Sequence, residues 1–487
     1  MMMKCRCMLV TLVMLGMGSA LLPEPTQAVE IGNFEFNGYV RHYMGFNLDD
    51  VPETSGDDKY EMSMNRLTLL GQLRGNLGPA TLTAIGRVSR EQITDYLSDL
   101  EDLAVASGGE GNFDDEYNEA EIRELYLDIP IGERVKLRLG KQQVVWGETD
   151  FFQALDVVHG YDQTWRSFLE PENEEWRKPL ILVNTEIDVP ELKGSLQLLW
   201  RPGFDDEEDI GNSYDMFGGR WSQNGSRGFD LNADKGFFPS LPIDYHHPEG
   251  DTDDSHYGAR WSGTLGENDG LAYSLNYYHT QAQNPVLFPT GSAPFGLAFI
   301  YPEIDIYGGS LSGYIPLIDS VYRFEAAFIP NNPFNDNFGG LIKKDTLRAM
   351  IGLDTNLRLQ NIFGTSSPSM FTLQVFDTYI NNYEAAEMIT NAFGTTEDEH
   401  TAWVSSIFTL PYKMDTITVQ SVTVNDISNG GGVFAPSVEF HFGPSWRVKC
   451  EADLFYGGTK SDTPGGASLF GSYDNNSQFL TRVTYQF

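Results

Sequence analysis

Cysteine is nearly missing from this chain: there are three in 487 residues, and two of them, Cys5 and Cys7, sit near the start. Past residue 28 only Cys450 remains, so no internal disulfide framework can staple the fold, even in an oxidising compartment. Long apolar runs are equally scarce. Outside Met8 to Leu22 no stretch approaches the ~18 residues a membrane helix needs, and mean hydropathy is −0.30. Cations are outnumbered, 32 Lys and Arg against 69 Asp and Glu, for a net charge of −37. That balance argues against a polyanion such as nucleic acid as partner. Phosphate-cradling glycine loops, cysteine-based metal spacings and nucleophile motifs are all lacking, which points away from an enzyme and from a bound cofactor or metal. Of the eight histidines only His246 and His247 adjoin each other, and a solvated loop explains the pair without a metal.

What is present begins with MMMKCRCMLVTLVMLGMGSALLPEPTQA. Lys4 and Arg6 precede the apolar stretch, Pro23 and Pro25 end it, and Thr26 and Ala28 are small. This is the build of a cleaved secretory leader over residues 1–28. The remainder, 29–487, shows no Pro- or Ser-rich linker and is expected to form a single domain. It is rich in aromatic residues and glycine, with 31 Phe, 23 Tyr and 49 Gly.

Alternation of period two runs through this remainder. Such a pattern places one residue type on each face of a strand. Strands are predicted near 34–46, 62–74, 80–90, 121–129, 134–144, 179–188, 194–202, 255–265, 270–281, 303–315, 320–329, 344–356, 369–380, 399–410, 414–425, 432–442, 445–457 and 477–487. That is eighteen; sixteen is the other even number the boundaries admit. The links after even-numbered strands are tight (GNLGP, PIGE, PELK, GEND, PLID, PYK, GPS), except for 357–368. Most links after odd-numbered strands are long, above all 91–120, 145–178 and 203–254. Short turns at one end and long loops at the other mark an all-β, transmembrane, antiparallel up-and-down β-barrel of the outer membrane, with lipid as the partner of its apolar face.

One parity then faces lipid, for example Leu67, Leu69, Gly71 and Leu73. Cys450 shares that face with Val448, Ala452 and Leu454. The opposite parity lines a polar interior whose wall carries Arg41, Arg66, Arg87, Glu124, Lys136, Arg138, Arg323, Glu325 and Arg482. Inward charges of both signs nearly balance, so the negative charge lies in the loops. Residues 91–120 hold ten acids and no Lys or Arg, and 203–254 hold thirteen acids against three bases. Weak divalent-cation binding at these acidic loops is the partner such charge suggests. Within 91–120, Ile93, Tyr96, Leu97, Leu100 and Leu103 fall at helical spacing, predicting a short helix lying across the loop surface.

The link QQVVWGETDFFQALDVVHGYDQTWRSFLEPENEEW is unlike the other two long loops. It mixes Trp146, Phe151, Phe152 and Trp165 with Glu148, Asp150, Asp156 and Arg166. So many aromatics do not sit comfortably in water. Folding into the barrel would bury them, making Trp146, Glu148, Asp150, Phe151, Phe152, Asp156 and Arg166 candidates for a pore constriction; a cap packed on the outer loops is the other way to bury them.

Two resemblances add to this reading. FLTRVTYQF, with Tyr485 and Phe487 on the apolar parity, is similar to the carboxy-terminal signature by which barrel-assembly machinery recognises its clients. RLGKQQVVWGETDFFQALDVV, WRKPLILVN and SLQLLWRPG resemble the hallmark segments of a proteobacterial outer-membrane family, domain of unknown function thirteen-oh-two. WGE and LDVV are the most specific pieces; Phe151 and Phe152 stand where the family commonly has small residues. The resemblance implies a porin-like barrel in a Gram-negative outer membrane, associated with lipidic or hydrophobic solutes. A passive or selective channel for small solutes is therefore the expected function. A non-conducting structural or adhesion barrel, and an outer-membrane lipid hydrolase, are the alternatives; oligomeric state is not encoded in these patterns.

Overall fold

The computed structural model describes residues 29–50, 58–106, 113, 117–166, 169, 173–214, 219–221, 243–245, 252, 254–266, 270–289, 297–336, 340–390, 396–458, 470, 473–474 and 476–487. The expected leader and the His246–His247 pair lie outside the described residues.

Eighteen strands form the wall. In chain order they are β1 (Phe34–Asn47), β2 (Met62–Leu77), β3 (Ala80–Glu91), β4 (Glu119–Ile131), β5 (Val135–Gln142), β6 (Leu180–Val189), β7 (Gly194–Arg201), β8 (His256–Leu265) and β9 (Leu271–Gln281). Then follow β10 (Glu303–Ile315), β11 (Ser320–Asn335), β12 (Leu341–Leu357), β13 (Ser369–Ile380), β14 (His400–Tyr412), β15 (Ile417–Asp426), β16 (Gly432–Phe442), β17 (Trp446–Tyr456) and β18 (Gln478–Gln486). Each strand pairs antiparallel with the next. β18 pairs back onto β1, with Tyr39 opposite Gln486 and Asn47 opposite Gln478, so the sheet closes. Closure pairs the backbone groups that hydrocarbon cannot hydrate and leaves no open edge. The strand number and the sorting of links by length follow the sequence pattern; the longer link between β12 and β13 contains a single helical turn, Gln360–Phe363.

The two parities separate as the alternation requires. On β2, Leu67 and Leu69 are exposed while Arg66 and Thr68 are buried. Ile351 on β12 and Leu275 on β9 are 63% and 62% exposed; among the described residues no element covers this apolar exterior, and hydrocarbon is its natural neighbour. Cys450 lies on that face between Val438 and Thr481. At the barrel end that carries the tight turns, Trp446 and Tyr485 pack at 4.8 Å and Tyr485 and Phe487 at 6.4 Å, as an interfacial aromatic belt does. The terminal Phe487 exchanges two backbone hydrogen bonds with Gly38, each 3.0 Å. Among the described residues no helix is long and apolar enough to cross a membrane.

The predicted helix in the link between β3 and β4 forms, as α1 (Asp95–Ala106), but it does not lie across the loop surface. Tyr96, Leu97 and Leu100 are buried against Tyr43, Met64 and Leu480 of the inner wall. Three apolar residues on one helical face need a partner surface, and the barrel interior supplies it.

Candidate functional site

The 143–179 link folds into the cylinder and touches the wall nearly all the way round. It leaves β5 at Gln143, whose Nε2 donates to Glu124 at 3.3 Å. Trp146 is buried, donates from Nε1 to Gln197 of β7 at 2.8 Å, and packs edge-on to Tyr278 of β9 at 5.4 Å. Gly258 on β8 makes room: a Cβ there would stand 2.4 Å from the Tyr278 ring and 3.1 Å from Trp146. Glu325 of β11 then takes hold of the chain. Its two carboxyl oxygens accept from the backbone N–H of Glu148 and of Leu155, both at 2.6 Å. Between those anchors the backbone N–H of Asp150 donates to Gln374 of β13 at 3.1 Å. Phe152 stacks on Phe376 at 5.2 Å and meets Trp403 of β14 edge-on at 4.4 Å.

Past these anchors the link forms a small core of its own. Leu155, Val157 and Val158 pack with Leu180, Leu182, Ile304 and Ile306. Asp156 is held by Arg177 and by the Tyr161 hydroxyl, both at 2.5 Å. His159 accepts from the Val144 N–H through Nε2 at 2.8 Å, so its proton sits on Nδ1 and is donated to the Lys178 carbonyl at 2.9 Å. Only a neutral imidazole fits both partners. Burial, with the Arg177 and Arg123 guanidinium groups adding to it, pushes His159 down to about 3. Farther on, Arg166 forms an ion pair with Glu451 of β17 and lies 3.5 Å from Asp453.

The return leg meets the basic side of the wall. Glu175 accepts from the Tyr39 hydroxyl at 2.6 Å and from Arg41 at 3.0 Å. Arg87 donates to the Glu175 carbonyl and sits 2.8 Å from Glu119 and 2.9 Å from Glu121. Arg123 reaches the carbonyls of Glu174 and Arg177 at 2.6 and 2.8 Å. Arg66 lies over the Trp165 ring at 4.8 Å and 3.5 Å from Glu119.

The candidate residues therefore separate into groups. Trp146, Asp156 and Arg166 are buried in the packing of the link. Asp150, Phe151 and Phe152 are half-buried. Asp150 lies 3.4 Å from Arg323, which also pairs with Asp354 at 2.8 Å and donates to the Glu148 carbonyl; burial raises the Asp150 carboxyl and Arg323 opposes the rise. Glu148 reaches toward Ser310 at 3.5 Å. Phe151 and Phe152 join Trp403 and Val422 in an apolar patch along the neighbouring strands β13 to β15. Of the remaining wall residues, Arg138 pairs with Asp128 at 2.7 Å, Lys136 stands 3.6 Å from the same carboxylate, and Arg482 lies 3.4 Å from Glu439.

Sequence pattern missed Glu119, Glu121, Arg123 and Glu175. A register shift between Ile85 and Gly86 on β3 sets Glu124 opposite Ile85 and Ile122 opposite Gly86. The bulge turns the first half of β4 to the other parity, and Glu119, Glu121 and Arg123 point inward. The charges in EAEIREL do change phase between Arg123 and Glu124, which was the available signal. Glu175 lies in the link, where no periodicity reports orientation. Among the described residues no three His, Cys, Asp or Glu side chains gather as a metal site.

A closed eighteen-strand cylinder, apolar outside, charged inside and crossed by an in-folded link, is a porin-like β-barrel of the outer-membrane type. The chain belongs to the family described as "Protein of unknown function (DUF1302)", whose model matches residues 49–487. No curated protein matches it. Solved structures similar to it include Acinetobacter baumannii OccAB3 (9% identity, 94% of this chain and 100% of that one, TM-score 0.49). Pseudomonas aeruginosa OpdK with vanillate (10%, 94% and 99%, 0.44) and Salmonella typhi OmpF in complex with daunomycin (9%, 95% and 100%, 0.43) are also similar.

Proposed function

We propose that this protein is a channel of a Gram-negative outer membrane that passes small amphipathic solutes through a lumen narrowed by residues 143–179. The observation that carries the reading is the pinning of that link to the inner wall at Glu325, Gln374 and Glu451. A segment held at the interior of a wide barrel sets the bore. The half-buried groups beside it supply two unlike surfaces. One is the apolar flank of Phe151, Phe152 and Trp403; the other is the ion-paired row Asp150–Arg323–Asp354. A solute with an apolar body and a polar end meets complementary surface on both, whereas a wholly polar one leaves the aromatic flank unfavourably wetted.

Planar-bilayer recording is the test. Purified protein gives discrete current steps, and a variant with residues 145–178 replaced by a short Gly/Ser link gives steps several-fold larger. Silence from both proteins, each shown to be folded, would leave a non-conducting barrel as the better account.

A further inference from the structure

The rim that carries the tight turns is expected to face the aqueous periplasm, yet part of it is apolar. Leu317, in the turn between β10 and β11, is 92% exposed, and Met414, between β14 and β15, is 88% exposed. Ile362, in the helical turn between β12 and β13, is 72% exposed, and Phe363 beside it is exposed as well. Water is a poor neighbour for such side chains, and a group of them marks an interaction surface. The three connections are joined into one unit. The Asn356 N–H donates to the Asp319 carbonyl at 3.2 Å, which ties the lower end of β12 to the first turn. The Ser366 N–H donates to the Pro411 carbonyl at 2.9 Å, and Asp415 accepts from the Ser366 and Ser367 hydroxyls, both at 3.1 Å.

Two observations say what covers this unit. The Phe363 ring lies 6.4 Å from Phe408, which in turn lies 6.3 Å from Phe371. Phe371 and Phe408 stand opposite each other on the outward parity, the one that includes the exposed Val375. The helical turn is therefore continuous with the lipid-facing wall. Second, β13 is too short on that wall to cross the apolar layer alone. Its outward apolar set is Phe371, Leu373 and Val375, bounded above by Asp377, which pairs with His400, and below by the strand end at Ser369. From Phe371 to Val375 is ~14 Å of strand at ~3.4 Å per residue, against an apolar band ~25 Å tall. On β12 the outward set from Leu347 to Leu357, interrupted only by Thr355, spans ~34 Å. Ile362 and Phe363 stand where the height under β13 is missing.

We infer that this rim unit is a lipid-inserted foot: Ile362 and Phe363, with Leu317 and Met414 on the turns tied to them, enter the acyl chains of the periplasmic leaflet and complete the apolar band below β13. The charges of the unit fit that seat. Asp319 accepts from the Tyr314 hydroxyl at 2.8 Å, and Asp415 is held by the two serines. Arg358 and Lys413 are exposed, with lipid phosphates as their counter-ions. The foot fixes the depth of this side of the barrel and is independent of whether the barrel conducts.

Site-directed fluorescence in proteoliposomes tests it. Ile362→Cys and Leu317→Cys are each made in a full-length Cys450→Ala background, labelled with bimane and reconstituted in phosphatidylcholine vesicles, with or without lipid spin-labelled on the acyl chain. Ile351→Cys on the lipid-facing wall and Lys59→Cys, exposed in the link between β1 and β2, are the lipid and water references. Spin-labelled lipid is expected to quench positions 362 and 317 at least half as strongly as position 351. Aqueous iodide is expected to quench both several-fold less than position 59. Heat-modifiable gel migration shows that each labelled protein is a folded barrel. If position 362 or 317 is open to iodide as position 59 is, and untouched by the spin-labelled lipid, the foot is overturned and a periplasmic protein becomes the occupant to seek. A silent planar bilayer would remove the channel reading and leave the quenching result standing, and the reverse holds equally.

Discussion

Glu325 and His159 show how single side chains fix the path of a link with no regular structure of its own. Glu325 accepts two backbone N–H groups seven residues apart, which clamps the intervening segment to the wall. His159 bridges Val144 to Lys178 and so ties the start of the link to its end. The imidazole must stay neutral to do this, and that gives the packing a pH dependence. Its folded value of about 3 lies below the ~6.5 of a free histidine. As pH falls below about 6.5 the released link takes up a proton that the packed one refuses, so the packing is fully stabilised above that pH and weakens down to about pH 3. Limited proteolysis between residues 143 and 179 is expected to be slow at pH 7 and faster near pH 4. A His159→Gln variant should show a flatter profile; an equally steep one would shift the cause to other groups.

At the scale of elements, one glycine and one bulge decide what the wall presents. Gly140 of β5 has φ +127°, and a Cβ there would stand 2.1 Å from the Leu125 carbonyl oxygen of β4. An L-residue cannot adopt this backbone without moving that pair of strands apart. Gly140→Ala is therefore expected to cost roughly 1–3 kcal/mol, seen as a lower urea midpoint for loss of the heat-modifiable band. An unchanged midpoint would mean that the strand relaxes locally at little cost. The neighbouring bulge in β4 explains why the acidic half of the interior network was not read from the alternation. Period-two reasoning carries one phase through a strand, and a one-residue insertion reverses everything before it. The 143–179 link is the opposite case. Its aromatic content, from Trp146 to Trp165, made its burial legible, whereas its anchors on Glu325, Gln374 and Glu451 come from strands more than a hundred residues away in the chain.

For the whole molecule the net charge of −37 is the dominant field. Interior arginines and carboxylates largely neutralise one another, so the excess lies in the links, where 92–118 and 203–254 alone hold twenty-one acids against three bases. Charge of that sign at a channel entrance concentrates cations and repels anions over about one Debye length, ~10 Å at 0.1 M salt. Reversal potentials in a KCl gradient should show a preference for K⁺ that shrinks as salt is raised toward 1 M. Anion preference at low salt would mean that the acidic links stand away from the entrance.

Alternation, loop lengths and aromatic placement were enough, by themselves, to determine a closed barrel of sixteen or eighteen strands, its lipid-facing parity and the link that needed burial. These are local properties: a period of two, a turn and an apolar excess are written in neighbouring residues. Which of the seven constriction candidates are buried, and the inward turn of Glu119, Glu121 and Arg123, were decided only by tertiary structure. Each depends on what a distant strand brings within about 4 Å, and no local pattern encodes that distance.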